Sequence, residues 1–262
     1  MLGLGTGLST GGGVSGLIPT DISGLDLWLK FNTGIAGASN TTAAGNMSDD
    51  EVIHSWADQA ENHNAEQTTD AHRPNWEDAT TDISFNGDND HFDLGQHASD
   101  DLEIPVNTDF TIMIRHKFPN FDAAGALIGH VANDVIRVNS NAVIVVKISD
   151  STANSWEEEG SLDFQEDVYY IFTLVRSGGS DGALKMYVHG TGNDDNSTHS
   201  DRSWDDAEDH GDADAFTLSN IGASADTALN PIGFMRDVIV WNGTALNASQ
   251  RADMYSYINA QT

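Results

Sequence analysis

Along this chain, apolar residues come in short alternating or wholly apolar runs between clusters of Gly, Asn, Asp and Ser, and helical periodicity is nearly absent. That pattern predicts strands joined by turns, as in an all-β sandwich. Thr111, Met113 and Arg115 alternate with Ile112, Ile114 and His116, the spacing of a half-buried strand. Residues 143–146 and 169–175 are rich in β-branched and aromatic side chains and predict buried strands. One helix is predicted, over 249–258, where Ala252, Met254, Tyr255 and Ile258 fall near helical spacing. Asn247 or Ser249 stands where a cap is needed. A length of 262 residues suits one large sandwich.

Several segments, in order, resemble the laminin-G/concanavalin A-like lectin jelly roll. Leu25-Asp26-Leu27-Trp28-Leu29 is similar to its opening L-x-L-W-L strand. Ser55-Trp56-Ala57-Asp58-Gln59, with Asn62, Asn64, Ala65 and Gln67, resembles its W-x-D segment, although Ala60-Glu61 replaces the usual glycine turn. Arg73-Pro74-Asn75-Trp76 and the stretch 83–94 (ISFNGDNDHFDL) follow. Then come 110–118 and 126–130, and last the strand, turn, strand and helix of 168–258. The resemblance covers roughly 25–260 and implies a two-sheet antiparallel jelly-roll sandwich with one short C-terminal helix. It is strongest to the form common in phage virion structural proteins and bacterial surface proteins, which serves binding and assembly more often than catalysis.

Residues 1–20 form a Gly-rich arm with no charged side chain before Asp21, and 21–262 form the sandwich. The arm lacks the basic start of a signal peptide, and Gly interrupts its apolar stretch too often for a membrane span. Two readings stay open: a disordered terminus, or a docking arm. In the second, Leu2, Leu4, Leu8, Val14, Leu17 and Ile18 fill pockets on a partner while Gly permits close backbone approach.

Charge narrows the partners. Asp and Glu number 41 against 11 Lys and Arg, a formal net charge of −30. Such a surface repels nucleic acid and anionic membranes, whose affinity for proteins comes from Lys and Arg. It suits a saline, marine setting, where screening relieves self-repulsion. With no cysteine, disulfides and thiol catalysis are excluded.

Catalytic motifs are weak. The jelly-roll glycoside hydrolases use alternate carboxylates on one strand. The nearest match, 161–166, has Ser161 where the nucleophilic Glu belongs, which leaves Asp163 and Glu166 without the key carboxylate. No G-x-S-x-G elbow, zinc-spaced histidines or phosphate loop is present. Calcium is the one cofactor worth weighing, because it takes several hard oxygens from Asp, Asn and carbonyls on loops. Asp88, Asp90 and Asp93 are the first candidates, ahead of the acidic stretches at 193–196 and 205–214, and turn-shaping is the competing role for this loop. For sugar, Trp156 and Trp204 lie in polar stretches with Asn154 and Asp201 nearby, aromatic faces beside hydrogen-bonding groups. Trp28, Trp56 and Trp241 occupy positions that look structural, and Trp76 is open.

Three functions follow as expectations. The first is a non-enzymatic virion structural protein of a marine phage, a capsid decoration or fibre-head subunit. It is docked on other virion proteins by the arm, surface-exposed, and present as a homo-oligomer or a multi-copy assembly. The second is a calcium-assisted lectin module binding cell-surface glycans. The third is a polysaccharide hydrolase or lyase with an unusual site.

Overall fold

The computed structural model describes residues 16–37, 44–94, 102–105, 107–121, 125–130, 134–139, 144–148, 155–157, 165–178, 183–190, 202–203, 215–223 and 230–261. Along the chain the strands begin with β1 (Leu25–Leu29), β2 (Ile35–Gly37), β3 (Ile53–Trp56), β4 (Ala65–Glu66), β5 (Asn75–Glu77) and β6 (Asp82–Asn86). Next come β7 (Phe92–Asp93), β8 (Leu102–Ile104), β9 (Phe110–Lys117), β10 (Gly125–Gly129), β11 (Val135–Val138), β12 (Ile144–Lys147) and β13 (Ser155–Glu157). The last are β14 (Tyr169–Ser177), β15 (Ala183–Gly190), β16 (Arg202–Ser203), β17 (Phe216–Leu218), β18 (Asn220–Ile221) and β19 (Ile232–Asn242), followed by the helix α1 (Ala248–Asn259).

Two antiparallel sheets form the layers. The first runs β16-β15-β14-β9-β19-β6-β5, with β1 also paired to β19. The second runs β13-β12-β11-β10-β18-β7-β4-β3-β2, and β8 and β17 make a small pair. Between the sheets lies the main core, in which Phe110, Ile112, Ile114, Phe172, Leu174, Val238 and Val240 meet Trp56, Phe92, Leu127, Ile136 and Val146. Trp56, Trp76 and Trp241 are fully buried and Trp28 nearly so, so all four of these indoles serve packing.

A second core sits on the opposite face of the first sheet. Trp28, Met113, Ile171, Ile239 and Trp241 are covered there by Met254 and Ile258 of α1 and by Ile22. The expected half-buried β9 is therefore buried on both faces from Phe110 to His116. The cover comes from a helix more than 130 residues away, which strand periodicity does not register. The helix itself matches its sequence signal, and Asn247 is its cap. The Asn247 side chain accepts from the Gln250 N–H at 3.1 Å, while the Gln250 side chain accepts from the Asn247 N–H at 3.0 Å.

The W-x-D segment is structural. Asp58 Oδ1 accepts from the N–H groups of Trp28 (2.7 Å) and Ala60 (2.8 Å), and Oδ2 from those of Asn62 and His63 (both 2.9 Å). One buried carboxylate thus ties the loop to β1. Glu61, where the resemblance expects Gly, holds φ 67°, the left-handed conformation that glycine adopts without steric cost. The loop keeps the glycine geometry without the glycine.

Candidate functional site

The second core covers only part of the outer face of the first sheet. Beyond it, three strands present a row of half-buried side chains. Tyr169 of β14 pairs with Lys117 of β9, and Lys117 pairs with Phe234 of β19, so the three lie side by side across the sheet. The Lys117 ammonium is 5.0 Å from the centre of the Tyr169 ring and 4.2 Å from that of Phe234. Both are cation–π distances.

A β-bulge completes the patch. On β19, Met235 faces His116 and Asp237 faces Arg115, so Arg236 is the extra residue. A bulge re-aims side chains, and here Arg236 and Asp237 both serve the outer face. Gly233 makes the approach possible, because a Cβ there would lie 2.1 Å from the Lys117 carbonyl oxygen. The Arg236 guanidinium sits 4.2 Å from the centre of the Tyr169 ring and 4.7 Å from that of Phe31. Arg115 approaches the Tyr169 ring at 5.1 Å. Three of the chain's 11 Lys and Arg thus surround one tyrosine, in a protein of net charge −30.

Two buried carboxylates hold this arrangement. Asp82, fully buried, accepts hydrogen bonds from the Tyr169 hydroxyl and from Arg236 Nε. Arg236 also donates to the Thr80 carbonyl at 3.1 Å. Burial, together with the Asp82 charge, raises the Tyr169 pKa and keeps the phenol neutral. Burial works against the Arg236 charge, but Asp82 and Tyr169 together outweigh it and the pKa rises. Asp237 accepts from the Phe31 N–H at 3.1 Å and lies 4.0 Å from Arg115, and burial pushes its carboxyl up to about 6. Arg115 donates to the carbonyls of Ile258 (3.0 Å) and Gln261 (3.1 Å), joining the patch to the end of α1. His116, on the core side of β9, is pushed down to about 3 by burial and is neutral.

Sequence reasoning overlooked this site. Its signal was the run Arg115-His116-Lys117, dense in a chain so poor in bases. The expected sites fare differently. Trp156 lies on β13, opposite Val146 of β12, with its side chain outside the described residues. Trp204, Asn154 and Asp201 are outside them altogether, as are Leu2, Leu4, Leu8 and Val14 of the arm and the acidic stretches 193–196 and 205–214. Leu17 packs against the second core of its own sandwich, Trp241 Nε1 donates to the Pro19 carbonyl, and Ile18 is exposed. Glu166 lies exposed in the turn before β14.

The calcium candidates do not form a ligand set. Asp90 is turned inward and accepts from the Asn86 backbone and side-chain N–H groups, both at 2.9 Å. The Asn86 side chain in turn accepts from the Asp88 N–H at 2.7 Å, an Asx turn, and Gly87 supplies a φ of 83°. Asp93, on β7, lies 3.6 Å from His91. Among the described residues no three His, Asp or Glu gather as metal ligands. Asp88 and Asp90 shape the turn at 86–90 instead, and Asp93 lies in β7, paired with Glu66 and Asn220.

No protein-family model matches this sequence, and neither does any of the curated proteins. Solved structures do. A GH54 α-L-arabinofuranosidase soaked with a cyclic sulfate inhibitor superposes with a TM-score of 0.54 at 10% identity, over 91% of this chain and 60% of that one. The binding domain of botulinum neurotoxin serotype G gives 0.54 at 12% identity, over 90% of this chain and 51% of that one. The CBM40 of a Ruminococcus gnavus IT-sialidase, bound to alpha2,3 sialyllactose, gives 0.46 at 12% identity, over 66% and 96%. This chain therefore spans 60% and about half of the first two. At such identities the likeness shows the fold. It is an antiparallel β-sandwich.

Proposed function

We propose that this protein is a lectin-like, non-catalytic glycan-binding module whose ligand lies on the outer-face patch. The observation that carries the reading is the row Tyr169–Lys117–Phe234, two aromatic rings flanking a cation on a sheet face. Aromatic faces suit the C–H surfaces of sugar rings, and the polar groups beside them suit hydroxyls. The fold supports the same reading, since similar sandwiches occur in an arabinofuranosidase and in a toxin binding domain.

Catalysis has less support. Asp82 and Asp237, the carboxylates beneath the patch, are buried and engaged in holding Tyr169, Arg236, Arg115 and the Phe31 backbone. The virion reading draws on the sequence of residues 1–20, of which Leu17 is already engaged with its own sandwich. It ranks behind glycan binding, and counting copies of the chain in purified particles tests it.

A broad panel of immobilised glycans tests the binding reading. The wild-type chain is expected to bind a defined subset, and Phe234→Ala to lose that binding with an unchanged melting transition. Loss on Trp156→Ala or Trp204→Ala, with Phe234→Ala intact, moves the site to the other stretches. No binding across the panel overturns the reading.

A further inference from the structure

Among the described residues the cations of the outer face are unequally engaged. Arg236 is held by Asp82 and by the Thr80 carbonyl. Arg115 faces Asp237 and two carbonyls at the end of α1. Lys117 touches only rings, those of Tyr169 and Phe234, and no carboxylate pairs with it among the described residues. None of the four lysines has a carboxylate partner among the described residues, and Lys117 is the one set between two aromatic rings. Its stem is half-buried and its neighbours on both sides are aromatic, so it is fixed in place rather than moving freely in solvent.

Resting on the glycan reading above, we infer that the ligand is an anionic saccharide, its carboxylate or sulfate group on Lys117 and its sugar ring against Phe234. A charged hydrogen bond to an ammonium is stronger than one between neutral groups, and the flanking rings lower the local dielectric around it. The same chemistry explains how so acidic a protein would take an acidic ligand. The surrounding field repels it at long range, while Lys117, the cation left over once Asp82 and Asp237 offset Arg236 and Arg115, reverses the sign locally over a few ångströms. Binding therefore strengthens at moderate salt, as the long-range repulsion is screened, and weakens near 1 M, where the contact itself is screened.

The test compares trigalacturonate and a sulfated galactotriose with plain galactotriose by isothermal titration, using the full chain. The wild type is expected to bind at least one anionic trisaccharide about tenfold more tightly than the neutral one. Lys117→Gln is expected to remove that preference without shifting the melting transition, and Lys117→Arg to keep most of it. The arm that binds tells carboxylate from sulfate.

Equal affinity for galactotriose, or a preference that survives Lys117→Gln, overturns the inference and leaves glycan binding standing. So does binding of none of the three while other panel glycans bind. Binding of none with a blank panel removes the glycan reading itself. Self-association that disappears in Lys117→Gln, without saccharide binding, overturns both and makes the occupant a second copy of this acidic chain.

Discussion

The ammonium of Lys117 lies 4.2 Å from the centre of the Phe234 ring, and the two residues pair directly across β9 and β19. They are 117 positions apart in sequence, and Tyr169 on β14 reaches the same row from the other side. The patch is thus a product of sheet register, in which a one-residue slip would send each side chain to the opposite face.

Asp82 is the support under this row. Replacing it by Ala leaves the Tyr169 hydroxyl and the Arg236 guanidinium without their buried acceptor. Breaking a buried pair from one side costs on the order of 3 kcal/mol. Urea unfolding of Asp82→Ala is expected to show that loss, with the smaller cost in Asp82→Asn, which keeps the shape. Equal stability of wild type and Asp82→Ala contradicts the arrangement.

Asp58 organises the loop that joins β3 to β4. Asp58→Ala removes the acceptor of four backbone N–H groups, those of Trp28, Ala60, Asn62 and His63. A buried donor left unsatisfied costs about 1–3 kcal/mol, and water reaches some of these. A net loss of about 3 kcal/mol in urea is expected, and a loss under about 1 kcal/mol rules out this role.

The same loop gives a change of opposite sign. Glu61 holds a left-handed φ of 67°, where an L side chain costs about 1–2 kcal/mol and glycine costs none. Glycine's greater freedom in the unfolded chain returns part of that gain. Glu61→Gly is expected to raise stability by about 0.5–1 kcal/mol. A lower urea midpoint in this variant shows that the Glu61 side chain makes a compensating contact.

Much of this fold was legible in the sequence because its signals are local. Leu25–Leu29 is a strand as its resemblance to the opening L-x-L-W-L segment implies, and Asn247 caps the helix that Ala252, Met254 and Ile258 announce. The W-x-D spacing reads correctly because Asp58 bonds to residues within a few positions and to one neighbouring strand. Two features were not legible. The double burial of β9 depends on α1 arriving from the far end of the chain. The patch depends on a bulge at Arg236 and on the alignment of three strands, neither of which composition or spacing records. The Asp88–Asp93 stretch left cation loop and turn both open for a related reason: Asn86 satisfies Asp90 locally, a use of acidic residues that only the hydrogen bonds reveal.

Asp90 and Asp237 are expected to stabilise the fold in mild acid, with His116, pushed down to about 3, acting in the opposite direction below about pH 6.5. Burial pushes Asp90 and Asp237 each up to about 6, whereas carboxyls of the unfolded chain titrate near 4. Between those values the folded state binds more protons than the unfolded state, so stability falls as pH rises. The contribution is complete below about pH 4 and is lost as pH passes 6, on the order of 2 kcal/mol for each group. Melting in 1 M NaCl, which screens the general carboxylate repulsion, is expected to move upward from pH 7.5 to 5. The Asp90→Asn, Asp237→Asn double variant is expected to flatten that slope. A double variant whose slope equals that of the wild type contradicts the assignment, since His116 contributes equally to both.

The central claim, that the outer face of the first sheet is a saccharide site, is tested most directly by mapping amide shifts. The isotope-labelled chain is titrated with trigalacturonate and, separately, with galactotriose. The expected result is saturable shifts centred on Lys117, Tyr169, Phe234 and Arg236 with at least one of the two. Shifts confined to 155–157 or 202–203, or none with either sugar or with any glycan of the panel at millimolar concentration, would contradict it.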